Sequence, residues 1–321
     1  MLAATTQRPR QGMLRHPALK FLIGAILLGG VGYTLWASLT DPRIAQVEWQ
    51  FQPIPIAVGF LVMLVASAAT APMWLTIYRG LGGEVGTLVA FRIFLVTNIG
   101  KYLPGKVMHA AGRVAMLQQR GQSASIGVTS VLVELSLSLL GAALVSVLSI
   151  PILLREQGLA AHLELISWVS YLALPVGLVG LHPRVMGPVL RFASKRLPGR
   201  GTDLCTDLPP YRVILLLLLG YVVLWVSMSI GLFATSHTVV DALRLEHLPA
   251  VSGIAALSYL FGLAVPIAPA GLGAREGLMT LLLSTMMPAP AAAVTSILYR
   301  IVSITAELVA AGLSMLIARS R

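Results

Sequence analysis

The chain has 321 residues, of which 57% are hydrophobic and only 11% are charged. Soluble domains carry about 25% charged residues, so the composition excludes an ordinary soluble protein and indicates a polytopic membrane protein. The formal net charge of +11 would suggest nucleic acid as the partner of a soluble chain. In a membrane protein the basic residues set the orientation instead, and we expect no nucleic-acid partner. The single cysteine, Cys205, excludes an internal disulfide.

The apolar runs predict one all-α integral-membrane domain over residues 19–321, preceded by a basic tail at residues 1–18. Two apolar segments are interrupted by proline and glycine and continue as a second short stretch, so we interpret them as re-entrant helical hairpins: Val85–Gln122 and Val251–Pro288. About six stretches approach the roughly 20 residues that a spanning helix needs. In chain order these spans are Leu19–Leu39, Ile54–Ile77, Ala124–Ile150, Leu165–Leu181, Val213–Phe233 and Pro290–Ile317.

The basic residues favour this topology over one in which every segment crosses. With two re-entrant hairpins, four basic segments fall on the cytoplasmic side: Met1–Lys20, Lys101–Arg120, His182–Pro210 and Arg319–Arg321. The outer loops keep Arg43, Arg155 and Arg244. Because loops rich in Lys and Arg stay in the cytoplasm, we expect both termini there, with the protein in the inner (plasma) membrane.

An internal repeat runs through the two halves. Val128–Glu134 (VTSVLVE) reappears as Val294–Arg300 (VTSILYR), and each copy follows a Pro/Gly-interrupted segment. The topology makes the two copies enter from opposite faces, so the repeat is inverted, with repeat one at residues 85–150 and repeat two at 251–317. Inverted repeats with broken helices are typical of transporters with a midplane site.

Glu134 and Arg300 occupy equivalent positions in the two repeats. Each lies about ten residues, or roughly 15 Å, into its helix, which places both near the middle of a hydrocarbon core about 30 Å thick. An unpaired charge there costs at least about 2.5–3.5 kcal/mol, so we expect them to pair with each other or with a substrate. The alternative is a fixed ion pair that only joins the repeats.

Further charges in the hairpins and the last helix join the candidate binding site. Arg275 and Glu276 begin a half-helix after the glycines Gly271 and Gly273, where the helix N-terminus attracts anions and an arginine fork matches phosphate. They could instead cap the hairpin at the outer surface. Glu307 lies two turns after Arg300 and could bind a proton, pair with a base or serve only in packing.

The first hairpin offers a cationic face. After the break at Pro104 and Gly105, Lys106, His109 and Arg113 recur at helical spacing, which suits a lipid phosphate. A helix lying on anionic headgroups is the alternative. Two more positions complete the candidate residues: Arg92 inside an apolar arm, and Pro269 at the second break.

Enzyme motifs are missing from the sequence. It holds no GxxxxGK[ST] phosphate-binding loop, no GxSxG nucleophile turn and no HExxH zinc pair, so we expect no enzyme activity, metal or cofactor. A membrane glycosyltransferase that uses an outer-loop acid such as Asp41 is the alternative class. A third hypothesis is a non-transporting partner of a neighbouring enzyme.

The chain resembles the flippase-type membrane domain of lysylphosphatidylglycerol synthases (multiple peptide resistance factor). The residues that carry the resemblance are Asn98–Val107 (NIGKYLPGKV), Gly112-Arg113, Pro269–Gly277 (PAGLGAREG) and Leu298–Arg300. Ala270 stands where that family more often has a second glycine. The synthases also carry an aminoacyltransferase domain that this sequence does not contain, so aminoacyl transfer is not expected.

The resemblance implies lipid translocation between leaflets, with the hairpins and the intramembrane charges lining the path. It also implies a homodimer and a lipid-modifying or glycosyltransferase partner enzyme. We therefore expect a flippase-like transporter of an anionic or phosphate-headgroup lipid: a phospholipid, an aminoacyl-phospholipid or a polyprenyl-phosphate-linked sugar.

Overall fold

The computed structural model describes residues 52–102, 108–156, 171, 175–194, 204–205, 207–241, 243–265, 271 and 273–317. Within these ranges the secondary structure is helical and no strand occurs, as predicted. Short 3-10 turns cover Ile99–Tyr102 and Leu245–His247. The α-helices are α1 Pro53–Gly80, α2 Thr87–Asn98, α3 Met108–Gln118, α4 Ala124–Glu156, α5 Pro183–Ser194, α6 Tyr211–Val239, α7 Leu248–Ala264, α8 Ala274–Leu283 and α9 Ala289–Ile317.

Five helical segments in the described ranges are long and apolar enough to cross a membrane. Four of them, containing α1, α4, α6 and α9, coincide with predicted spans. The fifth, Leu245–Ala264, contains α7, which the sequence predicts as the first arm of a hairpin. The predicted span Leu19–Leu39 and part of Leu165–Leu181 lie outside the described residues.

The remaining hairpin arms are too short to cross. Helices α2, α3 and α8 have 12, 11 and 10 residues. At 1.5 Å per residue they are about 15–18 Å long, against a hydrocarbon core of about 30 Å. Helix α2 packs on α3, and α7 packs on α8, so each pair forms a helical hairpin.

Each hairpin starts and finishes at the same end of the molecule. Gln122, after α3, accepts hydrogen bonds at Oε1 from the Tyr78 hydroxyl (2.9 Å) and the Glu84 N–H (3.2 Å), both of which precede α2. We call this the Gln122 end. Met287, after α8, shares a buried cluster with Ala250 at the start of α7, and this is the Met287 end.

The packing of the helices is reciprocal between the two halves. Helix α4 packs on α7, the first arm of the second hairpin, and α9 packs on α2, the first arm of the first hairpin. Likewise α1 packs on α9, and α6 packs on α4. Exchanging α1–α4 with α6–α9 therefore reproduces the contacts, and the internal repeat includes the helix before each hairpin.

Helices α1 and α6 cross in an antiparallel sense. A Cβ added at Gly59, early in α1, would lie 3.2 Å from the carbonyl oxygen of Gly231, late in α6. A Cβ at Gly220, early in α6, would lie 2.8 Å from Cε of Met73, late in α1. The small residues thus let the two helices approach closely, and their opposed directions agree with an inverted repeat.

The long helices α4 and α9 are also antiparallel. Trp74 donates a hydrogen bond to Ser130 Oγ, early in α4, at 3.0 Å, and it packs in one cluster with Ala310, late in α9. At the opposite end, Leu153 of α4 and Ala291 of α9 share a cluster. The two repeated segments are therefore entered from opposite ends of the molecule.

A charged cavity between the hairpin tips

A cavity of about 190 Å³ lies where the hairpins meet the middle of the long helices. Both repeats contribute to its walls, and the middle of α1 and α6 completes them. The lining residues from the hairpins and the long helices include Asn98, Lys101, Tyr102, His109, Glu134, Leu263, Gly271, Arg275, Tyr299, Arg300 and Glu307.

The first hairpin supplies a fully enclosed arginine. Arg113 of α3 is 0% exposed, and its Nη1 donates to Oε2 of Glu134 on α4. Its guanidinium carbon lies 4.1 Å from the ring centroid of Phe94 and 5.0 Å from that of Trp74. Aromatic faces attract a cation and exclude water, so Glu134 is the member of this pair that faces the cavity.

The second hairpin supplies a carboxylate in the corresponding place. Gly273 adopts a φ of 81°, which glycine tolerates, and begins α8. Glu276 accepts a hydrogen bond at Oε2 from the Gly273 N–H at 2.7 Å and caps the helix. Its Oε1 accepts from Nη1 of Arg300 on α9. Glu276 is buried behind Arg300, and Arg300 lines the cavity.

The expected Glu134–Arg300 ion pair does not form. Each of the two residues is neutralised inside its own repeat, by Arg113 and Glu276 respectively. A buried charge needs a partner within hydrogen-bonding distance, and the second arm of each hairpin brings one to the long helix that follows it. The two residues do share one cavity at the predicted depth along their helices.

A third ion pair joins the repeats. Lys101 Nζ lies 2.6 Å from Glu307 Oε1, and the Tyr102 hydroxyl donates to Glu307 Oε2 at 3.0 Å. Lys101 and Tyr102 belong to the tip of the first hairpin, and Glu307 belongs to α9. The sequence indicates Glu307 as a candidate and counts Lys101 with a basic segment on the cytoplasmic side, without predicting a contact between them. In the structure Lys101 lines the cavity, and Arg113 of the same segment is fully buried.

Arg275 differs from the other cavity cations. Its guanidinium carbon lies 5.7 Å from the Tyr259 ring centroid and 5.6 Å from that of Tyr299. The ion pairs among the described residues do not include it. The two rings hold the cation without neutralising it, so Arg275 presents a net positive charge to the cavity.

The family model described as the lysylphosphatidylglycerol synthase TM region matches residues 18–311. The chain belongs to this family. No curated protein matches the chain closely enough to name a relative. Membership in the lysylphosphatidylglycerol synthase TM family confirms the resemblance, and it indicates a multi-pass membrane protein with a role connected to membrane lipids.

Described residues of the two longer motifs that carry the family resemblance contribute to the cavity wall. Lys101 and Tyr102 of the first motif line the cavity, and so do Gly271 and Arg275 of the second. Four predicted positions near the breaks, Lys106, Pro104, Gly105 and Pro269, lie outside the described residues. His109 lines the cavity at the start of α3.

Three predicted ligand residues do not face the cavity. Arg113 and Glu276 lie outside the cavity lining, and each is paired with a charged residue that belongs to it, Glu134 and Arg300 respectively. Arg92 is half-buried on α2, lies outside the cavity lining and forms no ion pair with the described residues. No group of His, Cys, Asp or Glu with metal-site geometry occurs in the part of the chain that the structure describes.

Sequence reasoning missed the aromatic lining of the cavity: Tyr102, Tyr221, Trp225, Tyr259 and Tyr299. The sequence does not distinguish an aromatic residue that faces the cavity from one that faces lipid, because both occur in apolar helices. Tyr299 could have been predicted, since it precedes Arg300 in the repeated segment, where repeat one has Val133.

Proposed function

We propose that the protein is a flippase-like transporter that moves a phosphate-headgroup lipid between leaflets. The observation that carries the proposal is one cavity lined by described residues of two hairpins that approach from opposite ends, with charges from both repeats in its wall. Transporter folds place their substrate between inverted repeats at such a point. Family membership supports a lipid as the substrate.

In this proposal the headgroup enters the cavity and the hydrocarbon tails stay in the bilayer. The cavity of about 190 Å³ is smaller than the roughly 300–1,000 Å³ of pockets that take drug-sized ligands. It therefore suits a headgroup better than a whole lipid. The hairpins are then re-entrant, and rocking of one repeat against the other opens the cavity alternately to the Gln122 end and to the Met287 end.

The orientation in the membrane follows from the basic residues. The described positions at the Gln122 end include Arg79, Arg120 and Arg212, whereas Arg244 lies at the Met287 end next to the acids Asp241 and Glu246. The excess of arginine at the Gln122 end supports a cytoplasmic location for it in the inner membrane.

The transport assay uses purified protein in vesicles that carry a fluorescent phospholipid, with a membrane-impermeant quencher to read the outer leaflet. Wild type should expose the inner-leaflet lipid faster than protein-free vesicles do. Ser138→Trp places a large ring in the cavity lining and should slow translocation about tenfold or more, because the headgroup loses its space.

Ser136→Trp provides the matched control. Ser136 lies two residues away on α4 and is exposed, with its hydroxyl bonded to the Leu132 carbonyl of its own helix. This variant should keep the wild-type rate. No translocation by wild type, or equal rates for the two tryptophan variants, would argue against a transport path through the cavity.

The glycosyltransferase alternative depends on an acid in an outer loop. Asp41 lies outside the described residues, and the described acids at the Met287 end, Asp241 and Glu246, are exposed. These described acids do not favour glycosyl transfer over transport, so the cavity gives the transport proposal the stronger support.

A further inference from the structure

We infer that the cavity selects a headgroup with a single net negative charge, such as a phosphodiester without further charges, held by Arg275. The inference rests on the proposed function and narrows its substrate class. It disfavours three other headgroup classes that share a phosphate: the cationic aminoacyl-phospholipids, the dianionic diphosphates and the neutral zwitterions.

The first step is the charge balance of the cavity and its supporting residues. Among the described residues the cations are Lys101, Arg113, Arg275 and Arg300, and the anions are Glu134, Glu276 and Glu307. Three ion pairs neutralise three charges of each sign, so the positive charge of Arg275 is the one that remains among these residues. Charges at membrane depth are costly without a counter-charge, so a ligand with one negative charge would balance Arg275.

The second step is the way in which Arg275 is held. It contacts the tyrosine rings of α7 and α9 and is the second residue of α8. Ring faces stabilise the cation. The Arg275 side chain also hydrogen-bonds the Tyr299 side chain, but an arginine carries five N–H donors, so others remain available to an anion. The positive end of α8 adds to the preference for negative charge. Arg275 is therefore ready to bind an anion without first breaking an ion pair.

A further unused donor lies in the part of the cavity wall that α6 contributes. Tyr221 of α6 is 2% exposed, lines the cavity, and its hydroxyl has no hydrogen-bond partner among the described residues. A buried hydroxyl without a partner is costly, and a ligand oxygen would satisfy it. A phosphodiester offers one charge for Arg275 and further oxygens for Tyr221.

The charge count also explains the exclusions. A cationic headgroup would add a second unpaired positive charge beside Arg275. A dianion would leave one negative charge without a partner unless an existing ion pair opened. A zwitterion would bring its own cation to a cavity in which the three carboxylates already have partners.

The test measures binding independently of transport. Detergent-solubilised full-length protein is titrated with short-chain soluble lipids, and the rise of its unfolding temperature gives the affinity. The probes are dioctanoyl phosphatidylglycerol (one negative charge), phosphatidic acid (up to two), phosphatidylcholine (neutral) and lysyl-phosphatidylglycerol (positive). Phosphatidylglycerol should bind at least about tenfold more tightly than each of the others, and inorganic phosphate should give no shift if a lipid headgroup is the ligand.

Substitutions at two residues locate the binding. Arg275→Gln should weaken phosphatidylglycerol binding about 10- to 100-fold, the range for one charge-assisted contact, and Arg275→Lys should restore part of it. Tyr221→Phe should weaken binding about 3- to 10-fold. Arg120→Gln is the control, because Arg120 is exposed and its Nη1 bonds the Met116 carbonyl of its own helix.

The outcomes separate this inference from the proposed function. Equal affinity for all four lipids, tighter binding of phosphatidic acid, or an unchanged affinity in Arg275→Gln would overturn it, even if lipids are translocated. Selective, Arg275-dependent binding without translocation in vesicles would uphold the charge selectivity and count against transport.

Discussion

The two repeats place opposite charges on equivalent elements. In repeat one the second hairpin arm contributes Arg113 and the long helix contributes Glu134. In repeat two the hairpin arm contributes Glu276 and the long helix contributes Arg300. The fold thus retains a pair between the same two elements and reverses its polarity, so a carboxylate of α4 and a guanidinium of α9 both line the cavity.

The reversed polarity also changes the sign of the charge that is buried away from the cavity. The enclosed member of repeat one is an arginine packed on Trp74 and Phe94, whereas that of repeat two is a carboxylate that caps its own helix. Glu276 therefore has a second partner if Arg300 is lost, but Arg113 has no second carboxylate among the described residues. The two pairs should respond differently to the loss of one partner.

The largest expected effect is at the sealed arginine. Glu134→Gln leaves Arg113 charged, fully buried and without a counter-ion, and breaking a buried pair in this way costs about 3–5 kcal/mol. We expect a free energy of unfolding lower by that amount in detergent micelles, measured by denaturant titration. Adding Arg113→Met to Glu134→Gln removes the stranded charge and should recover part of the loss.

Glu276→Gln is the matched change in the other repeat. The amide oxygen can still accept the hydrogen bond from the Gly273 N–H, and Arg300 borders the cavity instead of being sealed among aromatic rings. We expect a smaller loss of about 1.5–3 kcal/mol. Equal losses for Glu134→Gln and Glu276→Gln would show that the reversed polarity has no energetic consequence.

The sequence predicted the long helices and their charged residues better than it predicted which residues form ion pairs with them. Helix α4 begins at Ala124 as predicted, and α9 begins one residue before its predicted start. The repeated segments identified Glu134 and Arg300 because an intramembrane charge is a strong signal. Their true partners depend on how each hairpin folds back against its long helix. That arrangement is a tertiary feature, and periodicity along one helix does not contain it.

The contact between Lys101 and Glu307 was not predicted from the sequence, for a related reason. A run of basic residues without acids is typical of a cytoplasmic loop, and residues 101–120 fit that pattern. The hairpin instead carries Lys101 to its tip, where a distant residue, Glu307, is its partner. The proline and glycine after Lys101 marked the break in the helix, but no local pattern could identify an acid 206 residues away.

A second comparison concerns how closely the arms of each hairpin approach. A Cβ at Gly100 would lie 2.8 Å from the His109 backbone nitrogen, and a Cβ at Gly262 would lie 2.9 Å from Arg275 Cβ. Alanine at either position should push the second arm away and cost about 1–3 kcal/mol of unfolding free energy. Thermal unfolding of the purified variants measures the effect.

Gly112→Ala is the control for the glycines. Its nearest neighbour would be Thr97 Cγ2 at 3.6 Å, an ordinary contact, and alanine favours the helix by about 1 kcal/mol. If Gly100→Ala destabilises and Gly262→Ala does not, the arms of the two hairpins are held together differently, although each hairpin has a glycine where its arms approach closely.

The smallest expected effect on stability tests the one ion pair that breaks the symmetry. Aligning the repeated segments places Gly141 opposite Glu307, so the counterpart of the Lys101–Glu307 pair has no carboxylate in repeat one. The Lys101 side chain is 33% exposed, and Glu307 keeps the hydrogen bond from the Tyr102 hydroxyl when Lys101 is lost, so we expect the pair to contribute only about 1 kcal/mol. Lys101→Met should therefore lower the unfolding free energy only slightly.

Lys101→Met should change the rate of transport more than it changes the free energy of unfolding. The pair ties the tip of the first hairpin to α9 of the other repeat, and a transporter of this design must separate the repeats to open the cavity. Lys101→Met should shift the translocation rate several-fold, whereas Glu307→Gln, which can keep an acceptor for the Tyr102 hydroxyl, should shift it less. If Lys101→Met instead destabilised the protein as much as Glu134→Gln, the Lys101–Glu307 pair would serve mainly to stabilise the fold. The presence of this pair on one side of the repeat only would then be explained by folding and not by transport.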